Sequence, residues 1–250
     1  MSGPKKTALV TGASAGMGAE FCRQLATHCD VIIAVARRCD RLDALASELA
    51  GQVELHAIEA DLNTVLGVTS ALEALRQLGP VDYLVNNAGF STYGDFADLG
   101  IESQRDMVGL HIDATMTLCR AAIPFMRERG GGHIINVSSV GAFLPGRGLA
   151  VYGATKAFLN YFSRALQAEL AGTGIEVQAL CPGYTHTEFH VDLENEGFDK
   201  GQVPAAMWMD ADAVVAASLA ALGSGQVLVV PGEGNLKLAR KGCQGQLDAL

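Results

Sequence analysis

Seven short strand-like runs punctuate this chain, each separated from the next by a stretch long enough for a helix. They are Ala8–Val10, Val31–Ala36, Val53–Glu59, Asp82–Val85, Ile134–Val137, Ile175–Leu180 and Val227–Val230. A run such as V-I-I-A-V-A (Val31–Ala36) is apolar throughout rather than alternating. That suits a strand of a parallel sheet, which is covered on both faces and has no solvent side to present. Between the runs, Ala19–His28, Arg41–Ala50, Val65–Leu78, Glu102–Arg129, Tyr152–Ala171 and Ala211–Leu222 read as helices. Strand–helix alternation of this kind predicts an α/β fold, a doubly wound and mostly seven-stranded parallel sheet with helices on both faces. The 250 residues can bury such a core, and no repeat or low-complexity linker divides them. One domain spanning 1–250 is therefore expected.

Charge removes several function classes. With 18 basic and 27 acidic residues the net charge is −9, which repels nucleic-acid phosphates and anionic lipid. No nucleic-acid or membrane partner is expected. The six cysteines (Cys22, Cys29, Cys39, Cys119, Cys181, Cys243) lack the paired short spacing of metal or redox sites. They read as free thiols in a reducing compartment, and no metal is expected. The apolar run after Lys5 and Lys6 is too short for a signal peptide, and no uninterrupted run reaches membrane length. A cytoplasmic location is expected.

Two local patterns carry chemistry. The first is T-G-A-S-A-G-M-G (Thr11–Gly18), placed between the first strand and the first helix. Small residues there let backbone N–H groups approach a phosphate, and the helix dipole favours its charge. In dinucleotide folds the second strand ends on an acid that meets the ribose, whereas arginine suits a 2′-phosphate. Here it ends on Arg37-Arg38, with Asp40 only afterwards. NADP(H) is thus favoured over NAD(H), although the same arginines would also serve as a solvated helix start. The second pattern is Y-G-A-T-K (Tyr152–Lys156), a phenol and an ammonium on one helical face. A fixed positive charge should draw the phenol's pKa down from about 10 toward the range of general acid–base catalysis.

With T-G-x-x-x-G-x-G, N-N-A-G (Asn86–Gly89) and Y-x-x-x-K in this order, the chain resembles a short-chain dehydrogenase/reductase from about Thr7 to Val230. The resemblance implies a Rossmann-type fold and a hydride-transferring oxidoreductase acting on a carbonyl or secondary alcohol. It implies that Gly12, Ser14, Gly16, Met17 and Gly18 cradle a pyrophosphate, that Asp61 and Leu62 flank an adenine, and that Asn87, Ala88 and Gly89 run along the ribose. Ser139, thirteen residues before Tyr152, would hydrogen-bond the substrate oxygen, with its neighbour Ser138 structural. Tyr152 would exchange the proton, and Lys156 would stabilise the phenolate and hold the nicotinamide ribose. Pro182, Gly183, Thr185 and Thr187 resemble the segment that meets the carboxamide and diphosphate. One position departs from the pattern: His111 stands where the family usually has an asparagine that holds a relay water. An imidazole in that role would add an acid limb near pH ~6.5 to the rate profile. A homodimer or homotetramer is implied by likeness alone.

The substrate is less legible. Phe90–Phe96, Val140–Leu149 and a lid over about 187–209 should rim the carbonyl pocket. The lid carries Phe189, Val191, Phe198, Met207 and Trp208 among the acids Glu188, Asp192, Glu194, Glu196 and Asp199. Such residues suit a small apolar ketone, and equally cap a core. The tail 232–250 has few apolar anchors and is expected to fray or touch a partner subunit. A catalytically silent NADP-binding sensor on the same fold is the rival reading.

Overall fold

The computed structural model describes residues 5–190 and 197–250. Its strands are β1 (Thr7–Thr11), β2 (Val31–Ala36), β3 (Glu54–Glu59), β4 (Tyr83–Asn86), β5 (Gly132–Val137), β6 (Ile175–Leu180), β7 (Tyr184–His186), β8 (Trp208–Asp210) and β9 (Leu228–Val229). Its helices are α1 (Gly16–Leu25), α2 (Cys39–Glu48), α3 (Val65–Leu78), α4 (Ile101–Val108), α5 (Thr115–Arg129), α6 (Ala150–Glu169), α7 (Ala211–Ala220) and α8 (Glu233–Asp248). Seven strands form one parallel sheet in the order β3-β2-β1-β4-β5-β6-β9, while β7 and β8 pair separately. This is the Rossmann-type fold that the strand–helix alternation requires.

Two cores sandwich the sheet, and the two-residue period of the strands assigns residues to each. Ala8 and Val10 of β1 join Ile32 and Ala34 of β2 on the face covered by α1, α2 and α7. Leu9, Ile33 and Val35 turn the other way, beneath α3, α5 and α6. Phe21 and Leu25 of α1 are fully buried, and burial at such positions stabilises by about 1.5–3 kcal/mol each. The strand order reverses between β1 and β4, so the loops leaving their carboxyl ends part and open a crevice. Among the described residues no helix is long and apolar enough to cross a membrane.

Two segments differ from the sequence reading. Glu102–Arg129, expected as one helix, is α4 and α5 joined through a π-helical turn, Gly109–Ala114. The wider turn adds a residue to the helical repeat and carries His111, which is 1% exposed. The tail after Gly232, expected to fray or touch a partner subunit, is α8, packed through small and polar residues rather than large apolar ones. A Cβ on Gly242 would collide with the Phe143 carbonyl oxygen, and Gln246 Nε2 donates to that oxygen at 3.0 Å. Asn235, 3% exposed, sits directly against Gly183 and donates to the Pro231 carbonyl at 2.9 Å. A count of hydrophobic residues misses such contacts because close backbone approach needs little side chain.

Candidate active site

The crevice gathers the loops that follow β1, β4, β5 and β6 around a cavity of about 620 Å³. Every site residue expected from the sequence lines it except Gly18 and His111. Gly18 acts from beneath the turn: a Cβ there would strike the Gly12 carbonyl oxygen, so only glycine lets α1 start this close to β1. Gly12 has φ +65°, and a side chain there would meet Asn87 Nδ2 at 2.8 Å and Ala88 Cα at 2.9 Å. Thr11 Oγ1 fastens the two loops by accepting the Asn87 and Ala88 N–H groups at 2.9 and 3.0 Å. The residue that opens α1, Ala15, supplies no side-chain cap, and the first turn holds no acid. Gly16 and Met17, at the start of α1, line the cavity with the positive helix end unclaimed by a side chain, which fits a bound diphosphate.

The catalytic candidates face the opposite wall. Tyr152 and Lys156 lie on one side of α6, with Lys156 Nζ 5.7 Å from the centre of the Tyr152 ring. Lys156 is 4% exposed and donates to the Val137 carbonyl at 2.9 Å. Ser139 lines the cavity with Tyr152, and its Oγ accepts the Gly141 N–H at 3.0 Å. Ser138 is buried and donates instead to the Lys156 carbonyl at 2.9 Å, which fixes the helix on which the lysine stands. The expected lowering of the phenol's pKa is overturned here. Burial pushes Tyr152 up to about 12 against the opposing bond from Ser139, and pushes Lys156 down to about 7. Dehydration disfavours both charged forms.

The family model for short chain dehydrogenases matches residues 6–196. The chain belongs to the short-chain dehydrogenase family. A probable NADP-dependent dehydrogenase of Haemophilus influenzae is 36% identical over 196 residues, 75% of this chain and 77% of that protein. Among solved structures, a short-chain dehydrogenase of Sphingobium yanoikuyae in complex with NADPH is 32% identical over 98% of this chain and 96% of its own, with a TM-score of 0.84. The bulky-bulky ketone specific alcohol dehydrogenase of Comamonas testosteroni is 30% identical over 98% and 94%, with a TM-score of 0.80.

In this short-chain dehydrogenase the ring of His111 is fully engaged. Phe90 N–H donates to Nε2 at 3.2 Å, and Nδ1 lies 2.9 Å from Thr155 Oγ1, which donates to the Tyr152 carbonyl at 2.8 Å. The single hydroxyl proton of Thr155 is thereby committed, so Nδ1 carries the imidazole hydrogen and Nε2 accepts. A second ring proton would face the Phe90 N–H. Burial, aided by the Lys156 charge, holds His111 well below its usual pKa. The imidazole is a neutral strut between the Phe90 loop and the first turn of α6, with no ring nitrogen left to hold a relay water. Replacing His111 by leucine strands both partners and should cost about 1–3 kcal/mol, read as a fall of several degrees in Tm. The pH–rate profile of the parent for ketone reduction should show no acid limb near ~6.5. Such a limb, present in the parent and absent from His111→Leu, would restore the titrating role.

The lid region divides in two. Phe189 and Phe198 line the cavity with Phe90, Tyr93, Leu144, Leu149, Tyr184 and Leu238. Trp208 stands behind them, 5.4 Å from the Tyr184 ring and 5.0 Å from that of His186 across the β7–β8 pair. Met207 backs onto Gly234 of α8. Val191, Asp192, Glu194 and Glu196 lie outside the described residues. The sequence reading missed Leu238 and Asn235, because both arrive on the tail helix. It also missed Arg41, whose signal was its place one turn beyond Arg38 on α2.

Proposed function

We propose that this short-chain dehydrogenase interconverts a neutral, apolar ketone and its secondary alcohol with NADP(H), and that Tyr152 exchanges the proton. The observation that carries the reading is that Ser139, Tyr152 and Lys156 line the same cavity as the uncapped start of α1. The bound dinucleotide supplies the hydride. Gly16, Met17 and Gly18 would hold its diphosphate, and Arg38, whose guanidinium is fixed by Ser14 Oγ at 3.2 Å, would meet a 2′-phosphate. Ser139 orients the carbonyl oxygen. Tyr152 releases its proton to that oxygen as negative charge develops there, and protonated Lys156 stabilises the phenolate that remains.

Charge around the cavity supports a neutral substrate. Among the described residues the charged lining groups are Arg37, Arg38, Asp61, Glu188 and Lys156. The first four belong to the dinucleotide end, and Lys156 serves Tyr152. The substrate end is mostly aromatic and aliphatic, with Ser91, Tyr93, Tyr184 and His190 among its polar members. It has no lysine or arginine beyond Lys156 among the described lining residues, which disfavours a substrate carboxylate or phosphate. The NADPH-bound and bulky-ketone relatives are consistent with this reading. Initial rates should show NADPH consumed with aryl alkyl ketones and not with 2-keto acids, and kcat/KM for NADPH at least about tenfold above that for NADH. Equal turnover of a keto acid would defeat the substrate assignment, and equal use of NADH the cofactor assignment.

A further inference from the structure

Where the cavity opens beside α2, two arginines share one carboxylate. Arg38 Nη1 lies 2.9 Å from Glu188 Oε2, and Arg41 Nη1 lies 2.6 Å from Glu188 Oε1. From its other edge Arg38 donates to Ser14 Oγ through both Nε and Nη2 at 3.2 Å. Glu188 does not come from this wall. It stands just past β7, and its neighbour Thr187 lies against Gly16, where an added Cβ would meet Thr187 at 3.1 Å. The carboxylate therefore reaches from the β6 side across the glycine turn to α2. Arg41 and Arg38 hold its carboxyl below the usual range, so it is an anion at neutral pH.

Two guanidinium groups and a hydroxyl around one anion make the receptor that a phosphate monoester needs. Resting on the NADP(H) reading above, we infer that Glu188 is an internal competitor for the 2′-phosphate. Its carboxylate occupies Arg38 and Arg41, and so sets how strongly the protein distinguishes NADP(H) from NAD(H). A 2′-phosphate has to take these guanidinium groups from the carboxylate and then share the space with a like charge. A 2′-hydroxyl makes no such demand and leaves both ion pairs in place. Selectivity for the phosphorylated dinucleotide is thus lower than the arginines alone would give. The three side chains are 43%, 43% and 51% exposed, so water screens the pairs and the handicap is a modest one.

The test is calorimetric titration of the full chain with 2′,5′-ADP and with 5′-AMP, comparing the parent, Glu188→Gln and Arg38→Ala. Glu188→Gln should tighten 2′,5′-ADP by about 3- to 10-fold and leave 5′-AMP within about twofold, with the gain shrinking as salt rises toward ~1 M. Arg38→Ala should weaken 2′,5′-ADP by about tenfold or more and spare 5′-AMP. If Arg38→Ala leaves 2′,5′-ADP unchanged, the phosphate does not bind here, and the NADP(H) reading falls together with the competitor. If Arg38→Ala weakens it while Glu188→Gln leaves it unchanged or weaker, the phosphate site stands and the competitor role of Glu188 is overturned. Glu188 would in that case be a strap that holds the site together. Because Glu188 is half exposed, its glutamine variant should keep the parent's Tm, and a matched Tm ties any change in affinity to the site.

Discussion

Tyr152→Phe should bind NADPH as the parent does and turn over at least about 10²–10⁴ times more slowly. The substitution removes one hydroxyl and keeps the ring, which packs 6.0 Å from His111 and 6.1 Å from Phe189. The walls of the cavity are thereby preserved. What disappears is the phenolic proton donor that lines the cavity together with Ser139. Ser139 can still polarise a carbonyl, but its own hydroxyl is too weak an acid to replace the phenol. The loss should therefore fall on kcat rather than on KM, the signature of an interaction made in the transition state. Stopped-flow fluorescence of NADPH measures binding, and single-turnover oxidation of NADPH measures chemistry. A variant that keeps a tenth or more of the parent's single-turnover rate would remove Tyr152 from the proton path. That result would leave the fold and the dinucleotide cleft intact, because neither depends on the hydroxyl.

The parallel sense of the sheet and the helices on its two faces were legible because period and composition act locally. Ala8-Leu9-Val10 is apolar throughout, and the structure spends those residues on both faces. The glycine turn was legible for a similar reason: Gly12 and Gly18 are required by backbone proximity that no other residue tolerates. The residues that were not legible depend on distance through space. Nothing near Arg38 in the chain announces Glu188, 150 positions away. The job of His111 depends on Phe90 N–H and Thr155, 21 and 44 positions off, which turn a titratable ring into a neutral strut. The tail helix defeated a search for apolar periodicity because it docks through Asn235, Ala239 and Gly242. The pKa of Tyr152 was misjudged for a related reason. Charge at i+4 can be read from a sequence, whereas the water removed by four converging loops cannot.

Lys156→Met should abolish most turnover and at the same time raise Tm. A lysine that ordinarily titrates near 10.5 is held at about 7 by burial, so the folded state resists its charge. The sign follows from proton binding. Between about pH 7 and 10.5 the unfolded chain holds one proton that the folded chain does not, so the parent gains stability as pH rises through that window. Below about 7 the penalty is fully present, and above 10.5 it is absent. Methionine fills a similar volume without the penalty and gives up the bond to the Val137 carbonyl. A net gain of about 1–3 kcal/mol near pH 7 is expected, or several degrees in Tm, fading toward pH 10. The same group sets the direction of catalysis. Tyr152 and Lys156 share one desolvated site, and the first proton to leave it, the lysine's, does so near 7. With that proton the pair carries a positive charge, and donating a proton to a ketone leaves the site neutral. Without it, the pair is the acceptor that an alcohol needs. Reduction should therefore weaken, and oxidation strengthen, as pH passes through about 7 in the parent. In Lys156→Met the phenol has no cation to offset its phenolate, so whatever oxidation survives should appear only at much higher pH. A Tm difference that stays constant from pH 6 to 10 would show that Lys156 keeps its charge in the fold, and the titration near 7 would go with it.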